Sequence, residues 1–212
     1  MVGGLPRIWI ITDPDRPEGP IASIRRALDG CPAGLVGVQL RAKRASDRQL
    51  AAWGRELREL TSAAGAALTI NRRPDVAQIV GADGVHLPEL GLAPEVVARF
   101  WPELRLIGVS RHDRAGLQTA ERRGASYGFL SPVFVVPGKG VPLGIGGFER
   151  AIAGVGMPTF ALGGIGAEHV EPLISAGAFG VAVRRAIYES SDPAETLRAL
   201  STLLDKRPEC GE

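Results

Sequence analysis

An amide and two cations at alternate positions are the first residues here that could do chemistry together. In "LVGVQLRAK", residues 35–43, Gln39, Arg41 and Lys43 share one parity. A strand running through them points all three the same way. Arginine offers a planar fork and lysine a mobile point charge, a pairing suited to a phosphate or diphosphate. Gln39 lies within the apolar run and needs a polar partner if buried. Further on, "INRRPD" places Asn71, Arg72 and Arg73 directly after another apolar run. "GVHLP" carries His86, and "GVSRH" carries Ser110, Arg111 and His112. A lone histidine in a strand reads first as a satisfied structural residue. No G-x-S-x-G surrounds Ser110 and no base adjoins it in sequence, so it reads as a hydrogen-bonding group for phosphate or substrate rather than a nucleophile. Lys139 is the single charge in a Gly- and Pro-rich stretch, 135–147. "ALGGIG" contributes Gly163 and Gly164, which permit close backbone approach, and "VRRAI" contributes Arg184 and Arg185. Acids are scarce in these segments, Asp13 and Glu89 being the clearest. His86, His112, His169 and the two cysteines show no ligand spacing, so no metal site is expected from them.

These residues follow short apolar runs at 7–13, 35–41, 66–71, 84–87, 105–110, 127–134, 158–165 and 180–187. The runs are nearly continuous and rich in Val, Ile and Leu, as parallel strands covered on both faces are. Helical patterns separate them. Ile21, Ile24 and Leu28 stripe a first helix, and Leu50, Trp53, Leu57 and Leu60 stripe a helix over 46–64 with Ser46 as its N-cap. Leu197, Leu200 and Leu204 stripe the last. Gly81, Gly124 and Gly177 stand where helices should end. Eight strand–helix units predict a single-domain α/β fold over 1–212, a (β/α)8 TIM barrel. A doubly wound open sheet is the alternative, but no dinucleotide fingerprint supports it. In a barrel the chemistry lies at the C-terminal ends of the strands, and the loops after strands seven and eight often hold a phosphate. Residues 135–147 read as a flexible flap over that mouth rather than a helix.

Composition narrows the function class. A formal net charge of +2 is too near neutral to indicate nucleic-acid binding by itself. No apolar run approaches 18 residues, so no membrane span is expected. "MVGGLPRIWI" has no charged start followed by a long apolar core, so it does not read as a secretory signal. Cys31 and Cys210 are far apart and read as free thiols in a reducing cytosol, which makes a cytoplasmic location the expectation.

The segments "VQLRAK", "INRRPDVAQIVGADGVHLPE", "IGVSRHD", "SPVF", "GKG", "PLG" and "ALGGIGAEHVEPLISAGAFGVAVRRAI" occur in one order. Together they resemble the thiamine phosphate synthase family, which includes related thiazole tautomerases, from about residue 7 to 190. The resemblance implies a barrel enzyme of thiamine biosynthesis, a transferase coupling an aminopyrimidine methyl diphosphate to a thiazole phosphate with release of diphosphate. By position, Gln39, Arg41, Lys43 and Asn71 match the pyrimidine diphosphate site. Ser110 matches a serine near the leaving diphosphate, Lys139 a flap lysine, and Gly164 with the 184–185 backbone the thiazole phosphate site. Trp9 matches an aromatic lining the pyrimidine pocket. Lys139, Ser110 and Arg41 are thus expected to be catalytic. Arg72, His86, Arg184 and Arg185 join the expected substrate-binding set.

Departures qualify that expectation. Mg2+ is the family's usual cofactor, but Arg72 and Gly91 stand where two metal-binding aspartates are expected. Val136 and Gly138 replace flap threonines, and Pro132 stands where tautomerases place a histidine. One reading keeps the coupling, with Arg72, Arg41 and Lys43 partly replacing Mg2+. A second is a tautomerase acting on a thiazole carboxylate phosphate through His112 or Glu89. A third is a catalytically degraded barrel that binds a phosphorylated thiazole or thiamine ligand. Small phosphorylated substrates are the expected partners, nucleic acid and membrane are not, and a homodimer is compatible with the sequence.

Overall fold

The computed structural model describes residues 4–205; Cys210 lies outside them. Eight parallel strands close into a barrel in sequence order: β1 (Ile8–Ile11), β2 (Val36–Leu40), β3 (Ala67–Asn71), β4 (Gly84–Leu87), β5 (Leu106–Arg111), β6 (Tyr127–Leu130), β7 (Thr159–Leu162) and β8 (Gly180–Val183), with β8 pairing back onto β1. The outer layer is α1 (Ala22–Ala27), α2 (Asp47–Ala63), α3 (Pro74–Ile79), α4 (Pro94–Phe100), α5 (Arg114–Arg122), α6 (Gly144–Ile152), α7 (Val170–Ser175), α8 (Arg185–Tyr188) and α9 (Pro193–Asp205). The (β/α)8 architecture is therefore the one the apolar runs predicted.

Strand parity divides the core in two. Ile8 and Ile10 face the helices, whereas Trp9 and Ile11 join Ala67, Tyr127, Phe129, Phe160 and Ala182 inside the barrel. Trp9 stacks on Tyr127 with ring centroids 4.9 Å apart. Glycines in the strands make room for this aromatic plug. A Cβ on Gly37 would lie 2.6 Å from the Trp9 ring, and one on Gly108 only 2.2 Å from Tyr127 Cζ. The plug fills the barrel below its mouth, as side-chain layers do in this fold. Trp9 is wholly buried in it and does not line the cavity above, contrary to the sequence expectation. Ile11, two residues on, occupies the cavity floor.

Outside the barrel, Ser46 caps α2: its Oγ accepts from the Gln49 N–H, and the Gln49 side chain returns to the Ser46 N–H. Gly81, Gly124 and Gly177 end their helices with positive φ, as expected. Two boundaries differ from the sequence reading. The sixth strand stops at Leu130, before a cis Ser131–Pro132 peptide, rather than running to residue 134. The glycine-rich stretch is not loop throughout, because α6 begins at Gly144. Phe148 is buried and anchors a helix whose glycine-rich first turn propensity alone disfavours.

Candidate active site

Loops at the C-terminal ends of the strands enclose a cavity of about 890 Å3. The β2 end supplies Gln39, Arg41 and Lys43 to its wall. Gln39 is only 2 % exposed, and its Nε2 has no hydrogen-bond partner. Arg41 and Lys43 line the cavity although the strand ends at Leu40. Thr12 shapes this exit: its Oγ1 accepts from the Arg41 N–H at 2.8 Å and lies 3.3 Å from the Arg41 carbonyl. Burial, and then the nearby Arg184, lower the Arg41 pKa from its ordinary value, with Asp13 opposing them. Lys139 enters from the loop after β6, whose 136–139 turn is closed by the Lys139 N–H donating to the Val136 carbonyl at 3.1 Å. Its pKa is likewise depressed, first by desolvation and then by Arg41, Arg184 and Lys43.

Gly163 and Gly164 form another wall with φ of +106° and +69°. A Cβ on Gly164 would lie 2.9 Å from Phe134 Cβ and 3.1 Å from the Val135 carbonyl oxygen, so the backbone comes closer there than a side chain permits. Arg184 and Arg185 follow from the β8 end. Asp13 lies 4.0 Å from Arg184 Nε and 3.6 Å from Arg16 Nε, while Arg16 also reaches Glu189 at 3.3 Å. This carboxylate therefore links the loops after β1 and β8.

The adjacent arginines after β3 separate. Arg73 turns outward, bonding Asp75 at 2.8 and 2.7 Å and pairing with Asp47. Asn71 and Arg72 line the cavity. Arg72 has φ of +68°, the one positive φ outside glycine among the described residues. That left-handed conformation costs a non-glycine residue about 1–2 kcal/mol. The Arg72 N–H donates to the His86 carbonyl at 2.9 Å, which holds the turn.

His86 is buried beneath the cavity and does not line it. Its Nε2 lies 2.8 Å from Ser110 Oγ and its Nδ1 lies 3.3 Å from the Tyr127 hydroxyl. Ser110 is the member that reaches the cavity. Burial, followed by Arg111 and Arg41, lowers His86 to about 3, so it is neutral at ordinary pH. The sequence shows no base beside Ser110, yet an imidazole, made a weak base by its burial, adjoins it in space. The register explains the oversight: His86 pairs with Gly108, and Gly108 with Tyr127. Three neighbouring strands meet where a missing side chain lets two rings approach. The pairing order of consecutive strands, combined with parity, carried that signal.

At the rim, His112 and Glu89 both line the cavity, with His112 Nε2 3.8 Å from Glu89 Oε2. His112 Nδ1 faces the Ser131 carbonyl, which can only accept, so Nδ1 carries the proton and neutral His112 offers its lone pair at Nε2. The structure thus gathers Gln39, Arg41, Lys43, Asn71, Arg72, Ser110, Lys139, Gly164, Arg184 and Arg185 around one cavity and leaves His86 behind it.

The chain matches the family model "Thiamine monophosphate synthase" over residues 8–187. It belongs to that family. A Geobacter sulfurreducens relative, provisionally named a thiamine-phosphate synthase, is 40% identical over 205 residues, covering 94% of this chain and 95% of the relative. The thiamine-phosphate synthase of Chloroflexus aurantiacus is 36% identical over 203 residues, covering 93% and 92%. Among solved structures, thiamine phosphate pyrophosphorylase from Pyrococcus furiosus superposes with a TM-score of 0.83 at 29% identity, covering 94% of this chain and 95% of that one.

The Mg2+ associated with this thiamine monophosphate synthase family does not fit the donors present. Magnesium is usually held by one or two carboxylates together with substrate phosphates. The cavity's carboxylates are Glu89, Glu168 and Glu189, and each faces a cationic or ionisable partner: His112, His169 and Arg16. No cluster of three His, Cys, Asp or Glu side chains able to hold a metal occurs among the described residues.

Proposed function

We propose that this protein is a transferase of thiamine biosynthesis, joining an aminopyrimidine methyl diphosphate to a thiazole phosphate. The observation that carries the reading is the convergence of Arg41, Lys43, Lys139 and Arg184 on a cavity whose wall holds Gln39, its buried Nε2 without a partner. Such a site suits a flat polar ring bearing a polyanionic tail. In the reaction the bond from the pyrimidine methylene carbon to a diphosphate oxygen breaks, and its electron pair leaves with the diphosphate. The thiazole nitrogen lone pair then forms the new C–N bond to the methylene cation. No proton need move in either step. The protein's work is positioning and stabilisation of departing negative charge. Arg41, Lys43 and Lys139 supply the opposing positive charge, Ser110 a hydroxyl beside it, and Gln39 and Asn71 polar contacts to the ring. The wall of Gly163, Gly164, Arg184 and Arg185 takes the thiazole phosphate.

The test is thiamine phosphate formation by the purified chain from both substrates, with Mg2+ and with chelator. Formation well above an enzyme-free control supports the assignment, and none under either condition overturns it.

One observation favours a second reading. His112 and Glu89 place an acid/base pair at the rim, as a tautomerase acting on a thiazole carboxylate phosphate requires. Turnover of that substrate, abolished by replacing both residues, is the result that selects it.

A further inference from the structure

Arg72 and Arg73 are neighbours in sequence with opposite fates. The Arg73 guanidinium is consumed by Asp75 and Asp47, where it ties the start of α3 to α2. The Arg72 guanidinium makes no hydrogen bond or ion pair among the described residues, although Arg72 lines the cavity. Its backbone sits at φ +68°, a conformation suited to glycine or asparagine and poorly suited to arginine. The turn itself is fixed by the N–H to the His86 carbonyl, a bond that any residue other than proline could make. Nothing in the packing therefore calls for arginine. Residues held in sparsely populated backbone conformations concentrate at functional sites.

The rest of the wall has the same character. Arg41, Lys43 and Lys139 form no ion pair among the described residues, whereas Arg25, Arg58 and Arg198 elsewhere each have a carboxylate. Desolvation and mutual repulsion lower the pKa of Arg41 and of Lys139. A multivalent anion would relieve that repulsion. A diphosphate already neutralised by Mg2+ would relieve it less, and would bring a further cation against the cluster, where the cavity's carboxylates Glu89, Glu168 and Glu189 already face His112, His169 and Arg16.

We propose that Arg72, with Arg41, Lys43 and Lys139, forms a clamp that takes the diphosphate group as the free anion rather than as its magnesium complex. The inference rests on the reading that a diphosphate occupies this cavity. It adds a specific role for Arg72: a bidentate guanidinium in place of a metal ion.

The experiment uses inorganic diphosphate as the probe on the full chain, read by calorimetric titration and thermal shift. Titrations are run in chelator and in Mg2+ at excess over diphosphate. Diphosphate is expected to bind in chelator, with affinity at least tenfold weaker in excess Mg2+. Arg72→Asn should raise the melting temperature of the ligand-free protein by a few degrees while weakening diphosphate binding at least tenfold. A merely structural arginine would not give that opposed pair. Binding that appears only with Mg2+, or an Arg72→Asn protein that binds as the parent does, overturns the clamp. The coupling assay separates this from the functional assignment. Metal-free diphosphate binding without coupling keeps the clamp and removes the transferase. Coupling strictly dependent on Mg2+ keeps the transferase and removes the clamp.

Discussion

His86 Nε2 lies 2.8 Å from Ser110 Oγ, with the imidazole buried against the aromatic plug and the hydroxyl facing the cavity. The burial that makes His86 a poor base also makes it a sensor of acid. Its folded pKa is about 3, against an ordinary value of 6.5. Because the folded value is depressed, the unfolded chain binds the proton more tightly between these two values. The stabilising contribution is full above pH 6.5 and is lost as pH falls towards 3. Across that window one proton corresponds to a slope of about 1.4 kcal/mol per pH unit. In urea unfolding from pH 7.5 to 4.5, the parent and His86→Gln should run parallel above pH 6.5, and below it the parent's slope should become steeper than the variant's by about one proton. Equal slopes in the two proteins would show that His86 is not the titrating group.

The barrel was legible because eight buried strands leave continuous apolar runs, and the helix-ending glycines and the Ser46 cap leave local marks. Gln39, Arg41 and Lys43 were legible through parity, although the strand ends before two of them. The outward turn of Arg73 was less so: it depends on Asp47, 26 residues away on α2. Asp13 stood out as a strand-end acid, but its link to Arg184 forms only when β8 closes onto β1. Trp9 was misplaced because resemblance identifies residue type and position but not depth, and depth in a barrel is set by how many aromatic layers fill it.

Gln39 should trade stability for function. Its Nε2 is buried without a partner, and leaving such a group unsatisfied costs about 1–3 kcal/mol. Gln39→Met keeps the length and removes the amide. The melting temperature should hold or rise, by about 2–4 °C per kcal/mol for a chain of this size. Affinity for the aminopyrimidine diphosphate should fall at least tenfold, about 1.4 kcal/mol. A large fall in melting temperature with unchanged affinity would place the amide's role in the fold instead.

Lys139 should set the alkaline limit of anion binding. Desolvation and then three neighbouring cations lower its pKa below the ordinary 10.5, so it loses its charge earlier than a free lysine as pH rises. A bound anion favours the protonated form, so binding on the alkaline side should take up a proton. Diphosphate titrations from pH 7 to 10 in buffers of different ionisation enthalpy should reveal that uptake. Lys139→Arg, which stays charged throughout, should shift the alkaline fall in affinity to higher pH. An unshifted fall would assign the limit to another group.

Gly164 tests whether the wall after β7 is a backbone surface. Its φ of +69° and the 2.9 Å from an added Cβ to Phe134 Cβ act against a side chain in two independent ways. Gly164→Ala should cost about 1–3 kcal/mol, from left-handed strain and from displacing Phe134. Phe134 stacks on His169 at 3.9 Å, and its N–H donates to the Gly163 carbonyl at 2.9 Å, so the displacement should spread into the loop that carries Lys139. The variant should therefore lose melting temperature and also raise the KM for thiazole phosphate. Gly154→Ala is the control: φ is +76° there too, but an added Cβ meets nothing within 4 Å. It should share the strain without the effect on KM. If both variants raise KM equally, general loosening explains the result. If Gly164→Ala alone does, close backbone approach at this wall is part of substrate recognition.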